Sequence, residues 1–170
     1  DIWLTASDSS QVLQTGWMGR YLTDEYPGYP AGYPTAGMPD PPAIQIGSVV
    51  STGLAGHGGP SGIAVTSTNS TFTMPGGFAI PPESPAGHEL SYIRQVAEQT
   101  EQYSAVIRAA AGRAANQSAL YPTRGQNSIA DQLRIVAQLI AGGLKTRIYV
   151  VNIGGFDTHS GQVVSGAADT

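Results

Sequence analysis

Residues 148–159 read Ile-Tyr-Val-Val-Asn-Ile-Gly-Gly-Phe-Asp-Thr-His, an apolar run that passes through two glycines into an Asp-x-His triplet. Ile148, Tyr149, Val150, Val151 and Ile153 are β-branched, aromatic or both kinds side by side, the types that fit a pleated strand. So little polar interruption predicts burial on both faces, as in a parallel sheet. Gly154 and Gly155 allow a sharp turn or a close backbone approach. Asp157 and His159 then fall at the carboxyl end of the strand, where open α/β sheets place their ligands. A carboxylate and an imidazole two residues apart face one ion if that turn stays extended. The same triplet also suits a plain Asx-turn followed by a solvated histidine.

Working back from this strand, Gly142 and Gly143 end a helix whose predicted buried side is Ile129, Leu133, Val136, Ala137 and Ile140. Ser128 is the expected cap, with Asp131 three residues on as in a capping box. Asn116, Pro122 and Gly125 break the chain before it. A longer helix is predicted from about Glu89 to about Ala115, with Leu90, Ile93, Val96, Ala97, Tyr103, Val106, Ile107 and Ala110 as its apolar stripe. His88 lies just ahead of it, as a cap or a solvated end.

Further upstream, Ile63–Thr68 and Ser70–Met74 alternate apolar residues with Ser or Thr. They predict a hairpin around Asn69, set apart from the main sheet. Residues 47–62 hold six glycines, and His57 sits among them. No Gly-Lys-Ser/Thr follows, so this is not a phosphate loop. His57 reads first as solvated and only second as a site residue. Ala43–Gly47 predicts a short strand. Residues 26–42 carry six prolines and three glycines and form a loop. Their Tyr-Pro units suit a loop lying flat on the surface better than polyproline recognition. Residues 11–25 predict a helix capped by Thr15, with Trp17, Met18, Tyr21 and Leu22 buried. Helices alternating with buried strands favour an α/β sandwich.

The bulk numbers narrow the function classes. A chain of 170 residues suits one domain. Charged residues are 12%, about half the globular norm of roughly 25%. The net charge of −4 and scattered basic residues argue against nucleic acid. Without cysteine there is no disulfide framework or thiol nucleophile, so any metal needs Asp, Glu, His, hydroxyl or backbone oxygen. No apolar run reaches the roughly 18 residues of a membrane span.

Three segments together resemble a known family: DIWLTASDSSQVLQTGWMGRYL at 1–22, HELSYIRQVAEQTEQYS at 88–104, and LIAGGLKTRIYVVNIGGFDTHSGQ at 139–162. They are similar to the bacterial family called domain of unknown function 1501, of the alkaline-phosphatase-like superfamily that includes phosphatases and sulfatases. The most specific parts are Gly-Gly-Phe-Asp-Thr-His-x-x-Gln and Thr-Gly-Trp-x-Gly-Arg. The resemblance implies a three-layer α/β/α sandwich with a mainly parallel sheet, here incomplete, as a single partial domain over 1–170 with a Pro/Gly-rich insertion at about 26–88. It implies a divalent metal (zinc, manganese, magnesium or calcium) and a phosphate or sulfate ester as substrate. Asp157 and His159 match the family's metal ligands. Gln162 matches the family's Gln, and it and Thr158 would brace those ligands from behind. Arg20 matches the Arg of Thr-Gly-Trp-x-Gly-Arg, in a functional role or, by preference, as an anchor of its helix.

The departures also speak. The family has a Ser-His-Phe element before the Asp-Ile-Trp that opens this chain, and the nucleophile is expected there. Ser7, Ser9 and Ser10 do not match that position. Further family elements, Ser-Glu-Phe-Gly-Arg and Asp-His-Gly, would follow later. The chain therefore reads as an internal piece of a metal-dependent hydrolase, inactive alone, from a periplasmic or extracellular parent. The competing expectation is a non-catalytic structural or binding protein on the same fold, completed by a partner chain or a second copy. A glycan- or peptide-binding surface built on the aromatic loop at 26–34 is a third.

Overall fold

The protein, seen here as a computed structural model, is described over residues 2–69, 82–114 and 118–154. Its centre is a three-stranded parallel sheet in the order β4-β1-β5, made of β1 (Ala43–Ile46), β4 (Ile63–Val65) and β5 (Ile148–Val150). Ile44 pairs with Ile63 on one side of β1 and with Tyr149 on the other. The architecture is thus mixed α/β with a small parallel sheet. Ile63–Val65 belongs to this sheet and is not an arm of a separate hairpin; the proposed second arm, Ser70–Met74, lies outside the described residues. Residues 47–62 explain the difference. They are long enough for the crossover that a parallel pair requires. Within them stand a 3-10 turn (Thr52–Leu54) and a two-stranded ribbon of β2 (Ala55–Gly56) with β3 (Gly59–Pro60). Two of the three main strands, β1 and β4, come from inside the Pro/Gly-rich stretch at 26–88.

The period-2 alternation of the strands sorts the core into two clusters. Ile44, Ile46, Ile63, Val65 and Tyr149 point to one face and meet Tyr103, Ile107, Ala110 and Leu139 from the helices α3 (Pro85–Arg113) and α4 (Ser128–Ala141). Ala43, Ala64, Ile148 and Val150 point to the other and meet Leu54 and, from α2 (Trp17–Glu25, after the short α1 at Ile2–Thr5), Met18 and Leu22. Strand β1 is buried throughout, whereas β5 is half-buried. Full burial predicted for β5 is not met: among the described residues it pairs with β1 alone, and all three of its residues are half-buried.

Helix boundaries follow their caps. Helix α3 starts at Pro85, because Ser84 Oγ accepts the Gly87 N–H at 3.1 Å and Pro85 is pre-shaped for the first helical position. His88 therefore sits in the first turn, exposed, with Nε2 3.4 Å from Glu83 Oε2. Asn127, not Ser128, caps α4, its Oδ1 accepting the Ala130 N–H at 3.1 Å. Asp131 instead accepts the Gly125 N–H at 2.7 Å. Gly143, at φ 84, closes α4, with the Leu144 N–H donating to Leu139 O at 3.1 Å. The buried side of α4 is Leu139 with Ile135 and Val136 packed beside it, while Leu133, Ala137 and Ile140 face outward.

Helix α2 differs from its expected form for one reason, contact with backbone. Gly16 takes the N-cap position and donates its N–H to Ala55 O at 2.8 Å. A Cβ on Gly16 would collide with Thr52 and Gly53, and one on Gly19 with the Ala55 backbone. Leu22 is buried as expected, but Trp17 and Tyr21 are each 48% exposed. Thr15 does not cap. Its carbonyl accepts from Arg20 Nη1 at 2.8 Å.

The loop at 26–42 is tied down by tyrosines. Tyr29 is buried and its ring lies 5.2 Å from that of Tyr33, which meets Tyr26 at 6.4 Å. Burial raises the phenols of Tyr29 and Tyr103, the latter to about 12. Among the described residues, no helix is long and apolar enough to cross a membrane.

Candidate functional site

Strand β1 is the switch point of the sheet: the chain leaves it for β4 on one side and returns as β5 on the other. Ligands of open α/β sheets bind outside the carboxyl ends of the strands at such a point. A cleft of ≈ 510 Å³ lies there. Gly47 and Ser48 follow β1 into it, Thr66 follows β4, and Asn152 follows β5. Ser128 and Gln132, from the first turns of α4, close the far wall.

Local bonds hold these parts in place. Gln132 Nε2 donates to Asn152 O at 2.7 Å, and the Asn152 N–H donates back to Gln132 Oε1 at 2.9 Å. This pair of bonds acts like one more rung of sheet and fixes the direction in which the chain leaves β5. Gln45 is buried in the middle of β1, and its Oε1 accepts the Ser51 N–H at 2.8 Å, which fixes the loop behind Ser48. Arg134 anchors the start of α4. Its Nη2 donates to Pro122 O at 2.6 Å, its Nη1 lies 3.4 Å from Asp131 Oδ1, and its guanidinium sits 5.1 Å from the Tyr121 ring centroid. The hydroxyls of Ser48, Thr66 and Ser128 and the amino end of α4 offer the cleft donors for hydrogen-bond acceptors, beside the Asp131 carboxylate that also lines it.

No family model, curated protein or solved structure matches the chain.

The residues singled out in the sequence fall in three places. Asp157, Thr158, His159 and Gln162 lie outside the described residues. Arg20 stands away from the cleft and spans two turns of chain, with Nη2 donating to Thr5 O at 2.8 Å as well as Nη1 to Thr15 O. His57 is exposed at the tip of the β2–β3 ribbon, also apart from the cleft. Among the described residues no three His, Asp or Glu side chains gather. The cleft's one described carboxylate, Asp131, has both oxygens engaged, by Gly125 and Arg134. The described walls by themselves thus do not supply the three or four protein ligands of a zinc centre.

Ser48, Thr66, Ser128, Gln132 and Asn152 went unnoticed in the sequence as cleft residues. The usable signal was position: Thr66 directly follows a strand run, Ser48 follows one after a single glycine, and Asn152 interrupts the run first quoted.

Proposed function

We propose that the chain carries part of a metal-dependent hydrolase domain of the alkaline-phosphatase type, related to the domain of unknown function 1501, that acts on phosphate or sulfate esters. In that reading the two-sided sheet is the core of a three-layer α/β/α sandwich, and the parent protein is exported. The observation that carries it is where β5 ends. Asn152 leaves the strand at the cleft wall, clamped by Gln132. Asp157 follows five residues later, so chain length alone keeps it within about 18 Å of that wall. Asp157 and His159 would hold the metal, with Thr158 and Gln162 behind them. A metal held there would supply polarisation of the ester and activation of the attacking oxygen. Ser48, Thr66 and Ser128 would orient the ester oxygens by donating hydrogen bonds.

Two ligands are fewer than a zinc centre needs, so the 170 residues alone are expected to bind metal weakly and not to turn over substrate. Calorimetric titration with zinc and with manganese tests the site. Weak saturable binding should vanish in both Asp157→Ala and His159→Ala. Binding that is absent, or that survives both substitutions, removes this reading.

A second reading has its own observation. Leu133 and Ile140 on the outer side of α4 are 44% and 56% exposed, and the outer edge of β5 pairs with no described strand. A non-catalytic structural or binding protein on the same fold would cover both with a partner chain or a second copy. Sedimentation equilibrium decides it: association that grows with concentration supports it, and a monomer that unfolds cooperatively rejects it.

A further inference from the structure

Two cavities meet at the carboxyl edge of the sheet. Beside the polar cleft lies a groove of ≈ 350 Å³ between β4 and the middle of α3. Ala64 and Val65 form its strand wall, and Ile93, Val96 and Ala97 its helical wall. Ile93 is 60% exposed although it belongs to the apolar stripe of α3. The hydroxyls along that wall are spent on the helix itself: Thr100 Oγ1 donates to Val96 O and Ser104 Oγ to Glu101 O, both at 2.8 Å. The helical wall of the groove therefore presents mainly hydrocarbon, while the cleft adds the Ser128 hydroxyl, the amides of Gln132 and Asn152 and the Asp131 carboxylate, whose oxygens are held by Gly125 and Arg134.

The two cavities share Gly47, Ser48 and Thr66. Gly47 is at φ +148, and no described atom lies within 4 Å of where its Cβ would stand. The divide between cleft and groove is thus low, and one small molecule can cross it.

We infer that the ester taken by this site is amphiphilic, with its phosphate or sulfate head in the cleft and a short hydrocarbon or aryl group lying across Gly47 in the groove. The placement of the head rests on the hydrolase reading above; the groove rests on its own walls. A ligand shaped this way removes apolar surface of both partners from water, which strengthens binding with each buried methylene.

Methyl phosphate and hexyl phosphate, titrated into the chain and followed by amide shifts in NMR, test it. Hexyl phosphate should bind at least tenfold tighter and move the amides of Ile93, Val96 and Ala97, which methyl phosphate leaves in place. Ala97→Trp fills the groove and should abolish the tenfold preference while leaving methyl phosphate affinity as it was. Ile93→Asp, at an exposed position, should do the same if the tryptophan prevents folding. Equal affinity for the two esters, as when the groove is filled by other residues of the chain or by a second copy, overturns the inference, and so does a preference that survives both variants. The two readings fail separately. A hexyl preference without metal affinity keeps the amphiphile site and sinks the hydrolase; metal affinity with equal ester affinities does the reverse.

Discussion

Helix α2 rests on the backbone of Thr52–Gly56 through Gly16 and Gly19, whereas α4 rests on the sheet through Ile135, Val136 and Leu139. At Gly16 and Gly19 the first contact has no side chain between the two backbones. It tolerates no added atom, and periodicity in the sequence does not reveal it. The second is ordinary side-chain packing, and it leaves a choice. Helix α4 carries two apolar stripes, Ile135/Leu139 and Leu133/Ala137/Ile140, and only tertiary context selects one.

The sharpest way to break this contrast is Gly19→Ala. Alanine adds up to about 1 kcal/mol of helix propensity. Its methyl would nevertheless collide with Ala55 main chain, which cannot rotate away. Overpacking against backbone exceeds the usual 1–3 kcal/mol range, and a net loss of about 4 kcal/mol is expected in urea unfolding. A loss below 1 kcal/mol would mean that α2 is not seated on this backbone. Leu139→Ala comes next, at about 3 kcal/mol, because Leu139 is fully buried between α4, α3 and the sheet.

How much of this was legible follows from the same contrast. β1, β5 and the two long helices are visible in the sequence because period and β-branching report burial directly. The parallel pairing of β4 was not, since alternation alone cannot distinguish a hairpin arm from a strand that follows a crossover. The capping pair Ser84-Pro85 was readable but outweighed by the proline-rich run before it. At the site, the apolar run of β5 and its carboxyl edge could be read. The other walls could not, because Ser48, Thr66 and Ser128 are common residues that gain meaning only when three chain segments converge.

Intermediate effects sharpen the comparison from the side of α3 and α4. Tyr103 is buried in the main cluster, and its phenol is pushed up to about 12 from an ordinary value of 10.0. A folded value above the unfolded one gives stability that is complete below pH ~10 and is lost as pH rises through about 12. The fold should weaken by about 2 kcal/mol over that window. In Tyr103→Phe, denaturant midpoints at pH 9 and pH 11 should differ less than in the parent chain; an unchanged difference would place the alkaline sensitivity elsewhere. Asn127→Ala removes the α4 cap and should cost about 1 kcal/mol, with Ser128→Ala nearly silent in stability. The reverse order would return the cap to Ser128.

The smallest effect is the most informative about α4. Ile140 stands next to Leu139 in sequence and has the same character, yet it is 56% exposed where Leu139 is fully buried. Ile140→Ser should change monomer stability by less than about 0.5 kcal/mol, the ordinary scale for surface substitutions. Two measurements on the same variant then separate what the outer stripe is for. If the parent chain self-associates through it, Ile140→Ser together with Leu133→Ser lowers the association constant while the unfolding free energy at low concentration stays fixed. If Ile140→Ser instead costs as much as Leu139→Ala at every concentration, α4 is rotated by one residue, about 100°. The cleft would then lose Ser128 and Gln132 from its wall, because both ride on that same helix.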